Sequence, residues 1–217
     1  MPIHYTTYSS PLGSITASAQ DDALCGLWFD GQKYCPHGTK AWVFSPDYPV
    51  LAQLRTWLDA YFKGENPVFP GRLSPNGSAF RQEVWQILLQ IPYGQTTTYG
   101  TIAQQLARAH GKQRMSAQAV GGAVGHNPIS LVIPCHRVVG STGSLTGYAG
   151  GIEKKEALLR LEGALSQNRR DGQMERGCFP SWESGGSGRG SYPAYPSYPA
   201  LLPCTLPVID ASQNSVR

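Results

Sequence analysis

The chain has 217 residues, 18 Lys and Arg against 14 Asp and Glu for a net charge of +4, and 41% hydrophobic residues. That is enough apolar material for one or two packed domains, and it holds no run of about 18 apolar residues such as a membrane span needs. The opening Met1-Pro2-Ile3-His4-Tyr5-Thr6 lacks the charged start and apolar stretch of a secretory signal. Five cysteines, an odd number with no dense framework, fit a reducing compartment where thiols stay free, so a cytoplasmic protein is expected. The charge is uneven: residues 1–79 carry 5 basic against 6 acidic side chains, residues 80–160 carry 8 against 3. The local excess suits a surface that approaches phosphates, although an ordinary solvated face has the same composition.

In chain order, residues 3–7, 14–19 and 24–29 are short β-prone segments separated by turn residues, the pattern of an antiparallel meander. Leu51, Leu54, Trp57, Leu58, Tyr61 and Phe62 recur at helical spacing over 49–62, and the proline- and glycine-rich run 65–77 reads as a linker. Ser78 caps a helix carrying Phe80, Val84, Trp85, Leu88 and Leu89, which ends at Ile91-Pro92-Tyr93-Gly94. Helices over 98–109 and 116–125 flank the basic turn His110-Gly111-Lys112-Gln113-Arg114, a helix-turn-helix arrangement with a long turn. A helix over 153–161 places Ala157, Leu158 and Leu161 inward and Lys154, Lys155 and Arg160 in solvent, and delivers Glu162. From about residue 166 apolar periodicity stops and a Tyr-Pro repeat follows a Gly-Ser stretch, so disorder is expected there.

The expected fold is therefore of the α/β (α+β) class. A small antiparallel sheet with one helix spans 1–70, a helical domain with the helix-turn-helix unit spans 78–165, and a low-complexity tail spans 166–217. The helix over 116–125 is unusual in carrying interior Gly121 and Gly122, each costing roughly 1 kcal/mol against alanine. Either a neighbouring element packs tightly on the glycine face, or the backbone there meets a large partner such as a DNA strand.

Chemistry concentrates in Ile133-Pro134-Cys135-His136-Arg137-Val138-Val139, where a thiol adjoins an imidazole behind a proline. A thiol of ordinary pKa is only a few per cent thiolate at neutral pH, and a nucleophilic cysteine needs a base nearby. Neighbours on an extended strand point to opposite faces, so His136 can serve Cys135 only if the chain turns or a water bridges them. A cysteine among Val and Ile is equally the composition of a plain core position. Cys25, Cys35, His4 and His37 match no standard metal-ligand spacing, and no metal is expected.

The surrounding motifs tip the balance. With Asn127-Pro128-Ile129 upstream of Pro134-Cys135-His136-Arg137, and with Tyr148 and Glu162 in register after it, residues 80–163 resemble the O6-alkylguanine-DNA alkyltransferases, the methylated-DNA–protein-cysteine methyltransferases. The resemblance implies irreversible transfer of an alkyl group from O6 of guanine, and from O4-methylthymine, to Cys135. It implies no cofactor. The implied partner is double-stranded DNA containing O6-alkylguanine, met by a monomer in a bacterial-type cytoplasm and at its nucleoid, with no membrane involvement.

It also implies roles for particular residues. His136 takes the thiol proton through water, Glu162 orients the imidazole, and Asn127 fixes the turn between the recognition helix and the nucleophile. Tyr99 and Arg137 face DNA or substrate, Tyr148 walls the pocket, and Gln118, Ala119 and Gly121 lie on the helix that enters the minor groove. The base must be rotated out of the duplex, and Gln118 stands where much of the family has an arginine to fill the gap. Ala149 stands where some relatives have a hydroxyl, leaving the backbone amides of Tyr148 and Ala149 to hold O6. Two other classes fit parts of the pattern: a sensor of alkylated bases, whose known forms lack this cysteine, and a Cys-His hydrolase, which would turn over repeatedly.

Overall fold

The computed structural model describes residues 1–36 and 41–165; the tail expected over 166–217, and His37, lie outside the described residues. Strands β1 (His4–Ser10), β2 (Gly13–Gln20) and β3 (Ala23–Phe29) form the expected meander, with Tyr5 opposite Ser18 and Ala17 opposite Leu27. The β2–β3 turn is Asp21-Asp22, with φ of +51° and +56°; two consecutive left-handed residues give the hairpin the twist its strands need, and Asp tolerates the conformation.

The sheet is mixed rather than antiparallel throughout. β4 (Val43–Phe44) runs parallel beside β1 and β5 (Arg72–Leu73) parallel beside β3, giving the order β4-β1-β2-β3-β5. The run expected as a linker thus closes one sheet edge, with the Ser74 amide donating to the Leu24 carbonyl at 2.8 Å. Strands of two residues carry no periodicity, which is why the sequence hid them. Helix α1 (Pro49–Phe62) buries Leu51, Leu54, Leu58 and Tyr61 in the core that includes Ile15, Ala17, Leu27 and Phe29 of the sheet.

Helices α2 (Ala79–Leu89), α3 (Tyr99–Ala109) and α4 (Ala117–Gly125) are each started by a hydroxyl accepting a backbone N–H: Ser78 from Arg81, Thr98 from Thr101 and Ser116 from Ala119. α4 packs on both α2 and α3, and the Trp85 indole donates to the Ala123 carbonyl at 2.9 Å, fixing α4 along α2. After α4 the chain turns through residues 126–134 into one 3₁₀ turn, Cys135–Arg137, then β7 (Val138–Val139), which pairs in parallel with β6 (Thr97–Thr98). That pairing sets the start of α3 beside the nucleophile. Helix α5 (Ile152–Leu161) ends at Glu162.

α5 departs from expectation at Lys155, which is fully buried rather than solvent-facing; Lys154 and Arg160 are half-buried. Positions 155, 158, 159 and 162 lie on one helical stripe, and that stripe faces the core.

Candidate active site

The sheet reaches the reactive loop directly. The Leu27 amide donates to the Pro128 carbonyl at 2.8 Å and the Ser130 amide to the Leu27 carbonyl at 2.9 Å, so β3 holds residues 128–130 as if they were a short extra strand. Beyond it Leu131 takes a left-handed φ of +68°, an uncommon state for a leucine that costs about 1–2 kcal/mol. The strain is held by surrounding bonds, chiefly from Asn127. Its Nδ2 donates to the Ile133 carbonyl at 2.7 Å, and its Oδ1 accepts from the Ile129 amide at 3.0 Å. The same Nδ2 lies 3.1 Å from Cys135 Sγ, so one side chain fixes the turn and donates to the sulfur.

Cys135 is 4% exposed. Burial pushes its thiol up from the ordinary value, opposed by the Asn127 hydrogen bond, the charge of Lys155 and the backbone amides of Cys135 and His136. The 3₁₀ turn supplies the bend that adjacency of Cys135 and His136 demands, yet it brings no direct bond: His136 Nδ1 is buried and has no hydrogen-bond partner among the described residues. On the other side of the ring, Nε2 meets Glu162 Oε1 at 2.7 Å. A carboxylate only accepts, so the imidazole proton sits on Nε2 and Nδ1 presents a lone pair.

Burial lowers His136 from its ordinary value, aided by the positive charges of Arg137 and Lys155 and opposed by Glu162, so the ring is neutral at neutral pH and available as a base. For Glu162 burial acts upward, but hydrogen bonds and charge from His136 and Arg137 outweigh it and hold the carboxyl far below the usual carboxylate range. With the imidazole neutral, Arg137 is the standing counter-charge. Its Nε donates to Glu162 Oε2 at 2.8 Å, its Nη2 to Oε1 at 3.0 Å, and its Nη1 to the Ile91 carbonyl at 2.6 Å. Arg137, assigned to DNA or substrate by the resemblance, is thus engaged inside the protein.

The other anticipated residues fall around this centre. Tyr99 opens α3, half-buried, and its hydroxyl donates to the Thr146 carbonyl at 3.0 Å. Tyr148 is 8% exposed in the glycine-rich loop; its hydroxyl neighbours Ser130 but makes no hydrogen bond of good geometry. The Ala149 carbonyl accepts from the Lys33 amide at 3.1 Å, tying that loop to the segment after β3. Gln118 and Ala119 are exposed at the start of α4. A Cβ at Gly122 or Gly125 would meet nothing within 4 Å, and one at Gly121 only the Tyr99 ring at 3.8 Å. Internal packing therefore does not account for these glycines.

Two participants escaped the sequence. Lys155 Nζ donates to the Val138 carbonyl at 2.5 Å and the Thr146 carbonyl at 2.9 Å, and burial lowers its pKa to about 8 against the opposing effect of Cys135. Tyr61 of α1 donates to Glu162 Oε1 at 2.7 Å. The helical stripe of α5 could have disclosed the first. The second carried only the general signal that a tyrosine inside an apolar stripe needs a partner for its hydroxyl.

A donor-lined sulfur, a neutral base with its free lone pair buried, and a carboxylate locked behind that base form a site for nucleophilic attack by a cysteine. The sequence matches the family model "6-O-methylguanine DNA methyltransferase, DNA binding domain" over residues 79–164 and "6-O-methylguanine DNA methyltransferase, ribonuclease-like domain" over residues 3–71. The chain belongs to the 6-O-methylguanine DNA methyltransferase family.

The methylated-DNA–protein-cysteine methyltransferase of Mycobacterium tuberculosis H37Rv is 46% identical over 160 residues, covering 74% of this chain and 92% of the relative. The Haemophilus influenzae protein of the same name is 38% identical over 161 residues, covering 74% and 86%. Among solved structures, Mycobacterium tuberculosis OGT in complex with DNA superposes with a TM-score of 0.66 at 42% identity, covering 74% of this chain and 93% of that one.

Proposed function

We propose that this chain repairs DNA by moving an alkyl group from O6 of guanine to Sγ of Cys135, once per molecule. Family membership and the methyltransferase names of its relatives support the reaction class. The observation that supports the assignment to Cys135 is the lone pair of His136 Nδ1, buried and unpartnered, behind which Glu162 holds the proton on Nε2. A water between Nδ1 and Sγ carries the thiol proton to His136, and Glu162 with its charge stabilises the imidazolium. The thiolate attacks the alkyl carbon in line, the S–C bond forms as the C–O6 bond breaks, and the electron pair leaves on the guanine, which takes up a proton.

Duplex DNA containing O6-alkylguanine is the substrate, and O4-methylthymine a second. The exposed, glycine-faced α4 follows the minor groove by shape, because side chains this small cannot read base edges across the major groove. Gln118 fills the space the extruded nucleotide leaves. The protein acts as a monomer in the cytoplasm, with residues 1–70 as a supporting domain and 78–165 as the reacting one.

Incubation with an oligonucleotide carrying O6-methylguanine adds one methylene mass, about 14 Da, to the Cys135 peptide, and the reaction stops at one equivalent. Cys135→Ser abolishes the gain while leaving duplex binding within about twofold, since a hydroxyl is far less acidic than a thiol. Transfer by the serine variant, or repeated turnover, defeats the proposal.

A further inference from the structure

The N-terminal unit reaches the reactive centre through one hydroxyl. Tyr61, in the last turn of α1, is 1% exposed, donates to Glu162 Oε1 at 2.7 Å, and stands 3.4 Å from His136 Nε2. That oxygen also receives His136 Nε2 at 2.7 Å and Arg137 Nη2 at 3.0 Å, while Oε2 receives Arg137 Nε at 2.8 Å and the Gly94 amide at 3.3 Å. Glu162 therefore shares its charge among five donors. A carboxylate oxygen that already accepts from a phenol and a guanidinium is a weaker acceptor for imidazole, and it pulls less strongly toward the imidazolium.

We infer that Tyr61 is a positioning residue for alkyl transfer, its hydroxyl tempering the hold of Glu162 on His136 so that the ring stays neutral and aimed, and the N-terminal unit thereby takes part in the chemistry. This rests on the proposed transfer to Cys135. The other groups facing the pair are accounted for. Arg137 and Lys155 lower His136 by charge, and Tyr93, beneath the Arg137 guanidinium at 5.6 Å, gives its hydroxyl to the Gly64 and Leu161 carbonyls. Among the described residues the Tyr148 hydroxyl has no partner and the Cys135 sulfur accepts from Asn127, so neither bonds to Glu162. Burial first, and then the charge and hydrogen bond of Glu162, push the Tyr61 hydroxyl well above its ordinary pKa, so it remains a donor at every working pH.

Tyr61→Phe removes the hydroxyl and keeps the ring, which stacks on Trp57 at 5.1 Å and meets Tyr93 edge-on at 6.3 Å. In the full-length protein, the transfer rate constant on an O6-methylguanine duplex is measured from pH 5 to 9, alongside melting. Freed from its competitor, Glu162 binds the imidazolium more tightly. The acid limb of the profile then moves up by about half to one pH unit, with a rate loss that approaches roughly three- to tenfold on the acid side of the limb and little change near pH 9. A fluorotyrosine placed at position 61 is a stronger donor and moves the limb the other way.

The His136 imidazole, titrated by NMR in a Cys135→Ser background, rises correspondingly in the Phe variant. An unmoved acid limb and an unmoved His136 titration, whatever the melting temperature does, overturn the inference. A wild-type protein that transfers nothing at any pH defeats the proposed function instead, and the imidazole titration still decides what Tyr61 does to the ring.

Discussion

Replacing Lys155 with methionine separates two consequences of one buried charge. The ammonium is fully enclosed, held among the described residues by the carbonyls of Val138 and Thr146, and its pKa is lowered from 10.5 to about 8. A displacement of that size corresponds to about 3 kcal/mol of destabilisation from keeping the charge inside at neutral pH. Lys155→Met relieves it, but leaves the Val138 carbonyl without this donor at about 1–3 kcal/mol, while Thr146 keeps the Tyr99 hydroxyl. The variant is therefore expected within about 2 kcal/mol of wild type at pH 7 by urea unfolding.

Its pH dependence differs in a defined way. The unfolded lysine keeps its proton up to about pH 10.5 and the folded one loses it near 8, so wild-type stability rises across that window and the variant's does not. Chemistry moves the other way. Without the ammonium, one of the influences lowering the Cys135 thiol is gone, so less thiolate forms and transfer at pH 7 slows. A Lys155→Met protein with wild-type transfer and the same rise in stability above pH 8 would refute the role given to this residue.

Gln118→Ala is expected to slow repair of duplex substrate severalfold while leaving reaction with free O6-methylguanine unchanged, because only the duplex must lose stacking and pairing; equal slowing of both would remove α4 from the extrusion step. Gln118→Arg should tighten duplex binding and steepen its salt dependence by up to about one unit, read from affinities at several salt concentrations. Glu162→Gln should cost about 3 kcal/mol by leaving the part-buried Arg137 without its carboxylate. The carboxyl titrates far lower folded than unfolded, so its contribution is present above about pH 4 and lost as pH falls below that; the glutamine variant should lack this part of the acid sensitivity in unfolding experiments.

What the sequence disclosed was local. Ser78 marks a helix start because a cap needs only a hydroxyl and an amide three residues on, and the helices expected from 98 and 116 begin one residue later, with Thr98 and Ser116 as their caps. The meander showed through because alternation and the Asp21-Asp22 turn are short-range patterns. Cys135, His136, Asn127 and Glu162 were found by a resemblance, and the structure does gather them around one sulfur and one imidazole. Hidden were the features made by contacts far apart in the chain. β4 and β5 exist only because β1 and β3 offer them an edge, Tyr61 finds its acceptor 101 positions away, and Arg137 turns inward because Glu162 and the Ile91 carbonyl lie there. Lys155 was misplaced because a charged residue was assumed to follow its type rather than its stripe.

Contacts from the N-terminal unit to the reacting one include Leu27 to the loop before the nucleophile, the segment after β3 to Ala149, and α1 to Glu162. A growing polypeptide leaves the ribosome N-terminus first, and an N-terminal unit folds ahead of the later-made remainder of its chain. The strands and helix that will enclose the sulfur are thus made before Cys135 is synthesised. A reagent intended for one use gains from such an order of birth, since the segments that shield its thiol from oxidants and electrophiles are already at hand when the thiol appears.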